Sequence, residues 1–125
     1  MMATILLVDD EASVREMVSE VIRQSGHRVI TADSVAKAKA IFTSQAIDLV
    51  VTDLVMPEQS GIDLILEFRQ IKADVKVLAI SGGGGITGRF DYLPIASLVG
   101  AGAILKKPFS INEFSHKLEE LLNAN

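Results

Sequence analysis

Ile47-Asp48-Leu49-Val50-Val51-Thr52-Asp53 is a β-rich, almost unbroken apolar run that ends in a carboxylate. A strand with only one buried face alternates apolar and polar residues. A run without alternation fits a strand covered on both sides, as in the centre of a parallel sheet packed between helices. Working outward, further short strand-like runs occur at Ile5–Val8, Val75–Ile80 and Ala103–Leu105, and at Arg28–Ala32 on the strength of Val29, Ile30 and Thr31.

Amphipathic stretches separate these runs. Val14, Met17, Val18, Val21 and Ile22 form a stripe at helical spacing, which predicts a helix over about Ser13–Gln24 that Gly26 closes in a left-handed conformation. Ser34–Ser44, Ile62–Ile71 and about Asn112–Leu122 read as further helices, with Pro57 and Gly61 punctuating the loop before Ile62. Another helix is expected within Phe90–Val99, with Pro94 near its start. Gly82-Gly83-Gly84-Gly85 reads as a turn or loop, because successive glycines do not repay the ordering cost of a helix. Five βα units predict a flavodoxin-like doubly wound (βα)5 domain, a five-stranded parallel sheet with helices on both faces, occupying 1–125 as one domain.

Composition supports this class. The chain has 125 residues, 49% hydrophobic and 22% charged, which is one ordered globular domain rather than a disordered segment. Few aromatic residues make the core aliphatic. The net charge of −4, with scattered Lys and Arg, gives no basic face for nucleic acid. The absence of cysteine excludes disulfides and thiolate chemistry. The short apolar segment before Asp9 and Asp10 is too brief for a signal peptide or membrane span, so a cytoplasmic protein is expected.

In a doubly wound sheet, ligands bind beyond the carboxyl ends of the strands. Asp9 and Asp10 leave the first strand, Asp53 the third, Ser81 the fourth, and Lys107 follows the fifth. Taken singly, each has an ordinary explanation: Asp at a helix cap or strand end, Ser in a turn, Lys in water. Placed together, three carboxylates repel one another unless a cation neutralises them, and Mg²⁺ suits an all-oxygen site. A carboxylate is also a competent nucleophile toward phosphorus. Asp53, the lone carboxylate of the central strand, is the candidate nucleophile. The Lys107 ammonium and the Ser81 hydroxyl would then meet the phosphoryl oxygens.

With these residues in view, the chain resembles the receiver domains of two-component response regulators over residues 4 to 123. The resemblance is carried by Asp9-Asp10, by Asp53-Leu54-Val55-Met56-Pro57 with Gly61, by Ser81 after Val77-Leu78-Ala79-Ile80, and by Lys107-Pro108-Phe109. It implies that Asp9, Asp10, Asp53 and the backbone carbonyl of Val55 hold Mg²⁺, with Mn²⁺ as a substitute, and that Asp53 accepts the phosphoryl group. It implies the switch hydroxyl for Ser81 and the basic site residue for Lys107, which is preferred over Lys106 because it directly precedes the proline. The implied donor is a sensor histidine kinase or a histidine phosphotransfer protein. The implied output is altered docking to a downstream protein target or a fused output domain, through the face built by the helix within Phe90–Val99, the last strand and the last helix. Such a domain is a signalling switch rather than an enzyme acting on a metabolite, and is expected as a monomer or a phosphorylation-promoted dimer.

Some positions depart from the better-known pattern. Ile104 stands where an aromatic residue is common, and the glycine-rich segment makes the stretch from Ser81 to Lys107 longer than in compact members. That segment reads as a surface-loop insertion, with a mobile lid or an anion-binding nest as the alternative. Val55 and Gly83 carry no amide or carboxylate to position a water, which predicts slow loss of phosphate, with a water path left open by the absence of bulk at Gly83 as the alternative. His27 and His116 read as a strand-flanking and a helix-surface residue. The rivals are a phosphorylation-independent docking module and a small aspartyl-phosphate hydrolase of the haloacid-dehalogenase type. The hydrolase would need a second Asp where Val55 stands. A flavodoxin-like cofactor carrier lacks support, since no phosphate-cradling loop follows the first strand.

Overall fold

In the computed structural model, residues 2–54, 60–81 and 102–123 are described, Ser81 through its backbone alone. Five strands, β1 (Thr4–Val8), β2 (Arg28–Ala32), β3 (Leu49–Asp53), β4 (Val77–Ser81) and β5 (Ala103–Lys106), form one parallel sheet. Their order is β2-β1-β3-β4-β5, which is the expected doubly wound arrangement with β3 at its centre. Four described helices flank it: α1 (Ala12–Gln24), α2 (Val35–Ser44), α3 (Gly61–Ile71) and α4 (Ile111–Leu122). The helix expected within Phe90–Val99, the Gly82–Gly85 turn, Gly83 and Val55 lie outside the described residues.

The side-chain period of two sorts each strand between two cores. Leu6, Val8, Val50, Val77 and Ala79 pack with Ala38 and Phe42 of α2 and Leu64, Ile65 and Phe68 of α3. Ile5, Leu7, Leu49, Val51, Leu78 and Ile80 pack with Val18 and Ile22 of α1 and Phe114 and Leu118 of α4. Strand β3 is buried along its whole length, which is why its sequence shows no alternation. Ile104, β-branched on β5, packs against the α2–α3 core.

Helix starts follow local chemistry. Ser34, Ser60 and Ser110 each accept a hydrogen bond from a backbone N–H of the first turn, and Ser110 with Glu113 completes a capping box. Ser34 is therefore a cap rather than the first helical residue. Gly26, at φ +88°, supplies the left-handed residue just beyond α1. The strand predicted from Ile47 begins at Leu49, because Asp48 turns its carboxylate onto the N–H of Thr4 (2.7 Å). Strand β4 runs Val77–Ser81 rather than Val75–Ile80; the Val75 N–H closes a turn onto the Lys72 carbonyl.

His27 is more than a flanking residue. It is buried, its Nδ1 accepts the Ala3 N–H (3.0 Å), and its Nε2 lies 2.7 Å from Glu119 Oε2 on α4. His116 is exposed on α4 beside Glu120, as expected.

Candidate functional site

The sheet order places the topological switch between β1 and β3, and the two acidic positions flank it. Asp53 is the last residue of β3, pairs in register with Ile80 of β4, and is 4% exposed. Asp9 directly follows β1 and is 1% exposed, while Asp10 is exposed. Each of the three offers one carboxylate oxygen, and these oxygens all lie within 4.8 Å of one another. Sequence separation thus disappears in the fold, as the strand ends required.

Asp9 is the most constrained of the three. Its N–H donates to the Ala32 carbonyl (3.1 Å), its Oδ1 accepts the Glu11 N–H (2.9 Å), and its carbonyl accepts from Arg15 Nη1 (2.8 Å). Its Oδ2 is buried with no hydrogen-bond partner among the described residues. Burial therefore pushes its carboxyl up to about 6, and the negative charges of Asp53 and Asp10 push the same way. The Glu11 N–H and the Lys107 ammonium oppose that rise without cancelling it. Asp9 is not the N-cap of α1: Glu11 holds that place and makes no side-chain cap.

An orphaned buried carboxylate oxygen within reach of two further carboxylates fits a hard divalent cation. A cation would supply the coordination that Oδ2 lacks and relieve the repulsion among the three.

Lys107, just beyond β5, brings its Nζ to 3.6 Å from Asp53 Oδ2. Lys106, the last residue of β5, is exposed. Ser81 ends β4 and pairs in register with Lys106, so its backbone sits on the same edge. Beside Lys107, an open groove of about 460 Å³ is lined by Val14, Met17, Lys107, Pro108 and Phe109.

Backbone packing fixes the nucleophile candidate. The Asp53 carbonyl accepts from the Thr52 hydroxyl (3.0 Å), and a Cβ at Gly61 would stand only 2.2 Å from that same oxygen. Gly61 is thus required for close approach of α3 to the end of β3. Thr52 carried no recognisable signal in the sequence, and Arg15 only a slight one. The available hint was a cation in the first turn of a helix, where the dipole disfavours it.

The response regulator receiver domain family matches residues 5–119. The DNA-binding transcriptional regulator NtrC of Azospirillum brasilense is 29% identical over 98% of this chain and 25% of its own length. Among solved structures, a response regulator receiver domain protein from Clostridium thermocellum superposes with TM-score 0.86 at 30% identity, covering 97% of this chain and 94% of that one. The response regulator TrrA from Thermotoga maritima, in complex with Mg²⁺-BeF, gives TM-score 0.82 at 32% identity, covering 96% and 99%. The chain spans a quarter to about half the length of the first curated relatives it matches. No helix among the described residues is long and apolar enough to cross a membrane. With its strand order, its acidic cluster at the switch point and this match over nearly the whole sequence, the chain belongs to the receiver domains of response regulators, which are signalling domains rather than enzymes of metabolism.

Proposed function

We propose that this protein is a phosphorelay switch in which Asp53 receives a phosphoryl group from phosphohistidine on a sensor histidine kinase or histidine phosphotransfer protein. The observation that carries the proposal is the buried Asp53 carboxylate lying within 4.8 Å of two further carboxylates and 3.6 Å from an ammonium, at the topological switch point. A carboxylate oxygen of Asp53 attacks phosphorus, the P–N bond of phosphohistidine breaks, and the imidazole keeps that electron pair and takes up a proton. Asp9, Asp10, Asp53 and the Val55 carbonyl would hold Mg²⁺ or Mn²⁺. The metal supplies charge neutralisation at the phosphoryl oxygens. TrrA, a relative solved in complex with Mg²⁺-BeF, supports Mg²⁺ as the metal here.

Lys107 is paired with Asp53 at rest and would transfer that pairing to a phosphoryl oxygen, with the Ser81 hydroxyl donating to another. The phosphoryl group brings about −1.5 to −2 charge, enough to draw the segments after β4 and β5 toward it and shift docking on that side of the domain. The apolar groove beside Lys107 is the surface against which the phosphodonor protein would rest, because Lys107, which lines it, also pairs with Asp53. A cytoplasmic single domain acting on a protein target, or joined to an output domain as in the longer relatives, fits this role, as monomer or phosphorylation-promoted dimer. Slow self-hydrolysis remains part of the proposal.

Incubation with Mg²⁺ and acetyl phosphate followed by intact-mass measurement tests the assignment. One phosphoryl adduct is expected on the native protein and none on Asp53→Asn. An adduct retained by the variant would remove Asp53 from its role. An adduct missing from both proteins would leave the phosphorylation-independent docking module.

A further inference from the structure

Arg15 stands in the first turn of α1, a turn that contains no acidic residue, and at this end of a helix the dipole disfavours a cation. Its side chain reaches back over the preceding turn, the direction in which long helical side chains point, and Nη1 donates to the Asp9 carbonyl at 2.8 Å. The choice of acceptor matters. A guanidinium paired with the carboxylates of Asp9, Asp10 or Asp53 would occupy oxygens needed for a cation, whereas one bound to a carbonyl does not compete for them.

We infer that Arg15 is a positioning residue for the acidic cluster: by anchoring the Asp9 carbonyl it holds the turn after β1 so that the Asp9 carboxylate faces Asp10 and Asp53. The inference rests on the metal-binding function proposed above. Three anchors then fix Asp9: the Ala32 carbonyl on its N–H, Arg15 on its carbonyl and the Glu11 N–H on Oδ1. Only Oδ2 is left for a ligand. The need for such anchoring is physical. An ionised carboxylate buried beside two others is pushed toward water, and backbone hydrogen bonds resist that outward rotation. The Asp33 carboxyl lies below its usual range chiefly through Lys37, with a smaller contribution from Arg15.

The direction of the effect on metal affinity separates positioning from simple charge. Removing a cation beside a cation site tightens Mg²⁺ binding on Coulombic grounds. Removing an anchor weakens it, and loss of an outer-shell partner lowers metal affinity by about tenfold or more. Mg²⁺ titration by calorimetry on the whole chain should show Arg15→Met binding about tenfold more weakly than the native protein, at a temperature where both are folded. Unchanged or tighter binding would overturn the inference. Arg15→Gln serves the same measurement if Arg15→Met does not fold. Hydrogen exchange without metal gives an independent readout: the Glu11 amide, held by Asp9 Oδ1, should exchange faster in the variant while the β1 amides do not. Equal protection of Glu11 would also overturn the role. Native protein that takes up no Mg²⁺ would remove the metal site itself, and Arg15's role with it; native binding with an unaffected variant removes the role of Arg15 alone.

Discussion

Asp9→Asn should make the metal-free protein more stable while impairing its metal site. The Asp9 carboxyl is 1% exposed and titrates near 6 in the folded protein against 3.8 as its ordinary value. Between those values the folded state holds a proton that the unfolded chain has released. The stability associated with this group is therefore complete below pH 3.8 and is lost as pH rises through about 6. The full difference corresponds to about 3 kcal/mol. Water reaching an open crevice beside exposed Asp10 lowers this to about 2 kcal/mol. Asn pays no ionisation penalty, keeps an oxygen for the Glu11 N–H, and turns an amide N–H₂ toward neighbouring carboxylates. In EDTA at pH 7.5, urea denaturation should show the variant about 2 kcal/mol more stable, equivalent to roughly 8 °C in Tm for a chain of this size. The two proteins should converge as pH falls below 4. With saturating Mg²⁺ the native protein should recover much of the gap, because ligand bound to the folded state alone adds about 2.7 kcal/mol at a hundred times Kd. A variant no more stable than the native protein in EDTA at pH 7.5 would refute the argument that burial, rather than hydrogen bonding, controls Asp9.

Gly61→Ala places a Cβ 2.2 Å from the Asp53 carbonyl oxygen, so α3 and the end of β3 must separate. A loss of about 2–3 kcal/mol in urea denaturation is expected, with slower acetyl-phosphate labelling of the folded fraction; native stability and native labelling together would show that the loop yields freely. His27→Ala removes the acceptor of the Ala3 N–H and the partner of Glu119, and should cost about 2–4 kcal/mol. Chemical denaturation reads this loss, and a cost under about 1 kcal/mol would show that water replaces the imidazole.

Most strands were legible because they are short, apolar and stop at or beside a polar residue, β3 most of all because both of its faces are covered, whereas β2 mixes Arg28 and Thr31 with its apolar residues. The positions of Asp9, Asp10, Asp53 and Lys107 followed from a general property of doubly wound sheets, that strand ends converge at one edge. Strand β5 ends at Lys106, which is exposed, and the next residue, Lys107, brings its ammonium toward Asp53. His27 was not legible, since its partners lie 24 and 92 residues away and neither Ala3 nor Glu119 announces itself. Arg15 escaped for another reason. It binds a backbone carbonyl, and every residue has one, so the contact leaves no trace in composition or spacing. Strand and helix ends shifted by a residue or two where a side chain, such as those of Asp48 and Ser34, captured a backbone N–H.

The same geometry explains how an event at one carboxylate can be felt on both sides of the sheet. Strand β3 sends Val50 into the core with α2 and α3, and Leu49 and Val51 into the core with α1 and α4. Fully burying an aliphatic side chain contributes about 1.5–3 kcal/mol, so β3 itself is held too firmly to follow a charge added at its end. The parts placed to respond are the groups that meet Asp53 from elsewhere. Lys107 precedes α4, which packs on one layer; Gly61 opens α3, which packs on the other, and abuts the Asp53 carbonyl. A rigid strand that holds Asp53 between two such contacts would pass the effect of a charge added there, as in the proposed phosphorylation, to its neighbours rather than move itself. The burial that makes Asp9 costly to ionise and the packing that keeps β3 fixed are therefore two consequences of placing the acidic cluster at the carboxyl ends of the central strands.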